Sequence, residues 1–390
     1  MLEEQYLKRA TEKEEKLILL RRKFHQIPEI GGEEEKTRTL IVNTLEDLGV
    51  QYQTYPTHYG VTAFVQGKHR NKITALRADM DGLPVTESNR LSYGSMHPGK
   101  MHACGHDAHM AIALGAVELL QENRKRLNGS VKVFFEPAEE TVGGARWMVQ
   151  EGCMENPEVT SIIGLHMNPD YETGTVIAKS GAMSGASDDV EITIVGKGAH
   201  GAYPEKGTDA IVIAAQIVTA LQTLVSRKIS PLDSAVLSLG KVKGGTAGNI
   251  ICDQVYLEGT LRTLQNTTRE ELKKTISSLV KGIAESMGAK AEVTLKSGYA
   301  PIVNDQTLYL HCKDTAEKIV GKEKLVTKEF PSLGVESFGF FLEKTKGFYY
   351  DLGCGVGAGL HSEHFKIDEK VLKTGVALQA AMATRILQEG

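Results

Sequence analysis

Nine consecutive residues, Met101-His-Ala-Cys-Gly-His-Asp-Ala-His109, place one thiol, three imidazoles and one carboxylate on a single short segment. Cys, His and Asp side chains all ligate divalent cations, and crowding them costs desolvation and mutual repulsion unless an ion compensates. Further donors follow at Glu139-Glu140, His166, Asp188-Asp189 and His361. Ligands so scattered point to a site assembled by a fold, not to the two close knuckles of a structural zinc module.

The apolar run 131–135 reads as a buried strand, and Glu136-Pro-Ala-Glu-Glu140 lies just past its end. Neighbouring residues on extended backbone point opposite ways. One glutamate of the pair could therefore bind a cation while the other faces an attacking water as general base and passes the proton to a leaving nitrogen. Most Glu-Glu pairs are surface acids; the apolar strand, Pro137 and Gly143-Gly144 weigh against that here. His106 follows Cys104 by two residues, so both could reach one ion from a turn, with Cys104 a metal thiolate and not core filler. His109 is expected at a helix start in a supporting role. His102 is open between a ligand and a loop histidine. Asp79 and Asp81 are open between orienting ligand histidines and a solvated turn. His200, in the glycine-rich loop 196–204, reads from spacing alone as an exposed loop histidine. Asn249 and Arg262 are candidate anion contacts, the arginine through its bidentate fork, or else a surface salt bridge. No phosphate-binding glycine motif occurs in its required context, which argues against nucleotide binding.

These groups need elements to hold them. Leu17, Leu20 and Phe24 recur at helical spacing before Pro28, and a second helix carrying Leu40 to Leu48 stops at Gly49. Strands are expected at 61–65, 73–78, 131–135 and 161–165, with helices at 108–122 and 144–150. Such alternation predicts an α/β fold with a buried sheet whose strand ends carry the site. The small-residue run 180–187 reads as a hinge. Beyond it come a strand (190–195), a helix (209–226), two strands (235–242, 255–264), a helix (272–287) and a strand (291–295). This βαββαβ order reads as an inserted domain over 187–297, interrupting a catalytic domain of 1–186 and 298–390 and closing on it like a clamshell.

With 390 residues, 41% of them apolar, the chain can bury a large core. A net charge of −4 argues against nucleic acid or an anionic membrane as partner. The acidic start (Glu3, Glu4, Glu12) predicts no signal peptide, and apolar runs such as 111–120 are too short to span a bilayer. Five cysteines without framework spacing suit a reducing compartment, so a cytoplasmic location is expected.

Taken together, these motifs resemble the M20 family of metallopeptidases, in its amidohydrolase branch of hippurate, auxin-conjugate, N-acyl-amino-acid and N-acetyl-diaminopimelate hydrolases. The resemblance runs through Leu20-Arg-Arg-Lys-Phe-His-Gln-Ile-Pro-Glu29, Arg77-Ala-Asp-Met-Asp-Gly-Leu-Pro84, the 101–109 cluster, Glu136-Pro-Ala-Glu-Glu140, Gly164-Leu-His166, Gly198-Ala-His-Gly-Ala-Tyr-Pro204 and Leu360-His361. It implies a dinuclear hydrolase of N-acyl amino acids, with Cys104, His106, Glu140, His166 and His361 as metal ligands and Glu139 as general base. It further implies that His200 steadies the oxyanion in the other subunit's active site, that Asn249 and Arg262 grip the substrate, and that the inserted domain is both lid and homodimer interface. A thiolate ligand favours zinc, nickel or cobalt over magnesium; manganese is also used in the family. One departure stands out. Where the family has an acidic pair before Phe, this chain reads Val335-Glu-Ser-Phe338. Ser337 is expected to support the pocket wall, so that its change bears on substrate preference before catalysis. The alternatives are a dipeptidase or aminopeptidase of the same family, and a catalytically silent protein that binds a small carboxylate.

Overall fold

A computed structural model describes residues 2–389. Helices α1 (Leu2–Glu12), α2 (Glu14–Gln26) and α3 (Glu35–Asp47) open the chain, followed by strands β1 (Gln51–Thr54), β2 (Val61–Val65) and β3 (Ile73–Asp79). Then come α4 (His106–Glu122), β4 (Ser130–Glu136), two short helices α5 (Glu139–Val142) and α6 (Ala145–Gln150), β5 (Ser161–Asn168) and β6 (Val176–Ala178). After β7 (Gly181–Ser184) the second part comprises β8 (Ala186–Val195), β9 (Ala199–His200), α7 (Ala210–Thr223), β10 (Ala235–Gly244), β11 (Ile250–Ile251), β12 (Gln254–Thr263), α8 (Asn266–Ser286) and β13 (Lys290–Ser297). The chain ends through β14 (Ile302–Asn304), α9 (Gln306–Val320), β15 (Leu325–Thr327), α10 (Gly339–Leu342), β16 (Gly347–Gly353) and α11 (Val371–Glu389).

Packing divides the chain into two units: 1–183 with 303–330 and 337–390, and 184–302 with 331–336. In the first, eight strands form a mixed sheet in the order β1-β2-β4-β3-β5-β16-β6-β15. Its centre, β4-β3-β5-β16, is parallel. β3 and β4 are buried along their whole length, as expected for strands covered on both faces. Helices α4 and α11 are apolar nearly all round and buried accordingly. The parallel register brings Asp79 opposite Glu136 and His166 opposite Asp351, so the carboxyl ends of β3, β4, β5 and β16 lie along one edge. That edge is where open α/β sheets place their ligands.

The second unit is a four-stranded antiparallel sheet, β10-β12-β8-β13, with α7 and α8 on one face. Val190, Ile192 and Ile194 alternate inward from β8; Ile213, Ile217 and Leu221 of α7 and Leu272, Ile276, Val280 and Ala284 of α8 meet them. Three expectations change. The run 180–187 is not a loose hinge but forms β7 and the start of β8. Helix α8 begins six residues before 272, in polar turns that carry no apolar period to betray them. Residues 331–336 also return to this unit: Ser184 pairs with Ser332, and the Gly185 N–H donates to the Gly334 carbonyl at 3.1 Å. Against the expectation that no apolar run is long enough to span a bilayer, Ala210–Lys228 is long and apolar enough by length and composition alone, with its Ile213, Ile217 and Leu221 buried in this unit's core.

Candidate metal centre

Strand β3 ends in Asp79, and Asp81 follows in the turn; both carboxylates are buried. Asp81 is no solvated turn residue. Its carbonyl and Oδ1 accept from His106 Nδ1 at 2.9 and 3.2 Å, and its Oδ2 accepts the Glu140 N–H at 3.0 Å. One carboxylate thereby fixes two candidate ligands, leaving His106 Nε2 without a hydrogen-bond partner inside the protein. His106 opens α4 directly after Gly105, whose φ of 88° lies in the left-handed region. A side chain there would also meet Met167 at 3.0 Å. That turn sets Cys104 and His106 side by side. On β5, His166 donates Nδ1–H to the Met167 carbonyl at 2.7 Å, which leaves Nε2 3.3 Å from Cys104 Sγ. His361 has φ 64° and is held by its N–H on the Ala103 carbonyl at 2.8 Å; its Nε2 lies 3.1 Å from Glu140 Oε1.

Of four donor sets whose ligand atoms lie within 4.8 Å of one another among the described residues, two share Cys104: Cys104-His106-His166 and Cys104-Glu140-His361; a third is Asp79-His106-His109. Donors sharing one tetrahedral zinc stand about 3.5 Å apart, given bonds of 2.0–2.3 Å. The separations of 3.3 Å (His166 Nε2 to Cys104 Sγ) and 3.1 Å (His361 Nε2 to Glu140 Oε1) match that spacing. The buried, unpartnered His106 nitrogen is the kind of atom a cation would satisfy. The residues fit a metal.

Ligation needs a thiolate and a neutral imidazole, so a cation would have to displace a proton from Cys104 and from His106, whereas Glu140 is already ionised. Burial pushes the Cys104 thiol well above its ordinary value. Burial alone would push His106 down, but Asp79, Asp81 and Cys104 together hold it well above the usual imidazole range. Burial would raise Glu140, yet His361 and His106 pull its carboxyl down to about 2.

A profile of peptidase family M20/M25/M40 matches residues 75–385. The chain belongs to that family. It is 39% identical over 359 residues to the N-acetyl-L-cysteine deacetylase of Bacillus subtilis, covering 92% of this chain and 85% of that one. It is 37% identical over 366 residues to the N-acetyldiaminopimelate deacetylase of Lactococcus lactis, covering 92% and 96%. The solved structure of YXEP from Bacillus subtilis, described as a dinuclear metal-binding peptidase from the M20 family, superposes with a TM-score of 0.84 at 32% identity, covering 97% of this chain and 99% of that one. This M20 chain is a metal-binding hydrolase of amide C–N bonds.

Glu139 stands with the cluster: its carboxylate, His106 and Glu140 also form a set within 4.8 Å. The Ser337 N–H donates to Glu139 Oε1 at 3.0 Å. Ser337 itself is fully buried, so it supports the site through its backbone N–H without lining it. Its hydroxyl donates to Glu136 Oε1 and accepts from Arg77 at 3.0 Å, while Arg77 also pairs with Asp79 and Glu136 at 2.7 Å each. With two carboxylates already on one guanidinium, a neutral hydroxyl at 337 completes the cluster without a third buried negative charge. His109 is committed elsewhere: Nδ1–H donates to Asp79 at 2.6 Å and Nε2 accepts the Met167 N–H at 2.9 Å. His102 is neither an exposed loop histidine nor part of a donor set found among the described residues; it is buried, and burial pushes it down to about 3.

The remaining candidates belong to the second unit. His200 is exposed on β9, and its Nδ1 accepts the Ala202 N–H at 3.0 Å. Asn249 is exposed just before β11, its carbonyl accepting the Gly201 N–H at 2.7 Å. Arg262 is half-buried on β12 opposite Val236. Asp188 is not a metal candidate there: it is buried against Arg269, at 2.7 Å. Sequence reasoning missed the roles of Arg77, Glu34 and the Ser337 backbone. Arg77 lay inside a quoted motif, but nothing in the spacing pointed to its partners.

Proposed function

We propose that this protein removes the acyl group from N-acyl-L-amino acids, acetyl or aroyl, using two divalent cations held by Cys104, His106, Glu140, His166 and His361. The observation that carries the reading is the pair of donor sets sharing Cys104, with the Glu139 carboxylate fixed beside them. Cations held by these residues would polarise the scissile carbonyl and bring a bound water's pKa from about 16 to about 7. Glu139 takes the proton from the attacking water on its carboxylate and delivers it to the leaving nitrogen. The Ser337 N–H keeps that carboxylate aimed, and Asp81 keeps His106 and Glu140 in register.

His200 supplies a donor to the developing oxyanion. Since its Nδ1 accepts from Ala202, the neutral ring carries its proton on the exposed Nε2. Such a donor lowers the barrier by ~3 kcal/mol. Arg262 and Asn249 bind the substrate carboxylate. The second unit forms the lid and the homodimer interface: α7 exposes Ile211 and Val212, and the outer strand β10 exposes Val236 and Val242. The five cysteines are free thiols, in keeping with a reducing, cytoplasmic setting. Assay of zinc- and manganese-loaded enzyme on N-acetyl-diaminopimelate, hippurate, N-acetyl-methionine and free dipeptides tests the substrate class. Turnover confined to the free dipeptides would contradict it.

A further inference from the structure

The turn that carries Glu139 and Glu140 begins in a conformation its residue does not favour. Ala138 has φ 54° and ψ 36°, a left-handed geometry that an L-residue with a Cβ adopts reluctantly. Its carbonyl caps α5, accepting from Val142 and Gly143 at 3.3 and 3.1 Å, and no side chain caps that helix. Something must hold Ala138 there. Glu34 sits in the acidic run Glu33-Glu34-Glu35, whose outer members are exposed, yet Glu34 is fully buried. Its Oε1 accepts the Ala138 N–H at 2.7 Å and its Oε2 the Gly32 N–H at 2.8 Å. Gly31 closes the contact from the same segment: a Cβ there would lie 2.7 Å from Ala138 Cα and 2.7 Å from Thr141 Oγ1.

We propose that Glu34 is a positioning residue for catalysis, a buried carboxylate that clamps the left-handed Ala138 and so aims the Glu139 base and the Glu140 ligand. The inference rests on the proposed roles of those two glutamates. The clamp reaches the turn from the segment before α3, while Asp81 and Ser337 restrain the two glutamates at other atoms. Glutamine cannot replace the ionised carboxylate, because an amide offers one acceptor oxygen and would turn its NH2 toward either Ala138 or Gly32.

The test uses the full-length zinc enzyme and the four variants Glu34→Gln, Ala138→Gly, their double and Gly31→Ala, measuring kcat, KM and zinc affinity by chelator competition. Glu34→Gln is expected to lower kcat about 10- to 100-fold and weaken zinc about tenfold, with KM within about twofold of the parent. In the Ala138→Gly background the same change should cost less than about threefold, because glycine occupies the left-handed region without being held. A Glu34→Gln enzyme that melts earlier yet keeps parental kcat and zinc affinity overturns the proposal. So does an equal loss in both backgrounds. Should Glu34→Gln fail to fold, Gly31→Ala carries the test, pushing the turn from the same side with every polar partner kept; unchanged kcat there overturns the proposal. A parent inactive on every N-acyl substrate would sink the proposed function instead, while the zinc affinities would still decide on the clamp.

Discussion

Burial pushes the Glu34 carboxyl up to about 7, with Asp81 adding to the rise and the N–H groups of Ala138 and Gly32 opposing it. In an unfolded chain a glutamate ionises near 4.3. Between those values the unfolded chain loses the proton while the folded chain keeps it, so the residue's contribution to stability falls as pH rises. The loss amounts to on the order of 3 kcal/mol and levels off above about pH 7. Denaturant unfolding of metal-free parent and Glu34→Gln from pH 4.5 to 8 checks this: the parent's stability relative to the variant should decline through the window. A pH-independent difference would show Glu34 to be ionised throughout. At the same scale, Glu139→Gln should lower turnover at least 1,000-fold, roughly the cost of losing a general base and its charge, while bound metal stays at the parental level. Turnover equal to the parent's would remove Glu139 as base.

The elements were legible where apolar periodicity was strong. Strand β2 falls on the expected residues, β3 extends one residue further at its carboxyl end, β4 one residue further at each end, and α4 starts two residues early because Gly105 sets its first turn. What the chain could not reveal was partnership across distance. Ser337 looked like a pocket residue because it stands in place of an acid; only the parallel register of β3 and β4 shows Arg77 with Asp79 and Glu136 already around it. Glu34 carried no signal at all, lying between two exposed glutamates. The donor cluster itself was readable, because metal-binding side chains crowd there in sequence before they crowd in space. Gly105→Ala tests the element that delivers them. A Cβ at φ 88°, 3.0 Å from Met167, should cost about 1–2 kcal/mol. It should also shift the start of α4, lowering both Tm and retained metal. Parental values of both would mean that the turn is not needed to place Cys104 and His106.

For the whole molecule, the proposed dimer makes the second unit part of the active site. Helix α7 buries Ile213 and Ile217 in that unit's core while Ile211 and Val212 remain exposed at 51% and 48%. Ile211→Glu should shift the protein from dimer to monomer in sedimentation velocity and reduce kcat with it. If the monomer keeps full activity, His200 does not act across subunits. Mixing inactive Glu139→Gln with inactive His200→Ala protomers gives the complementary readout, since shared sites would recover up to about one quarter of parental activity by random pairing, in a dimer whose two sites act independently.

The proposed centre depends most on Cys104, the donor common to both of its sets. Metal analysis of zinc-loaded, dialysed protein decides it: the parent should retain two equivalents per chain, and Cys104→Ala, which removes the donor common to both sets, should retain one or fewer. Two equivalents in both proteins would contradict the shared-thiolate centre.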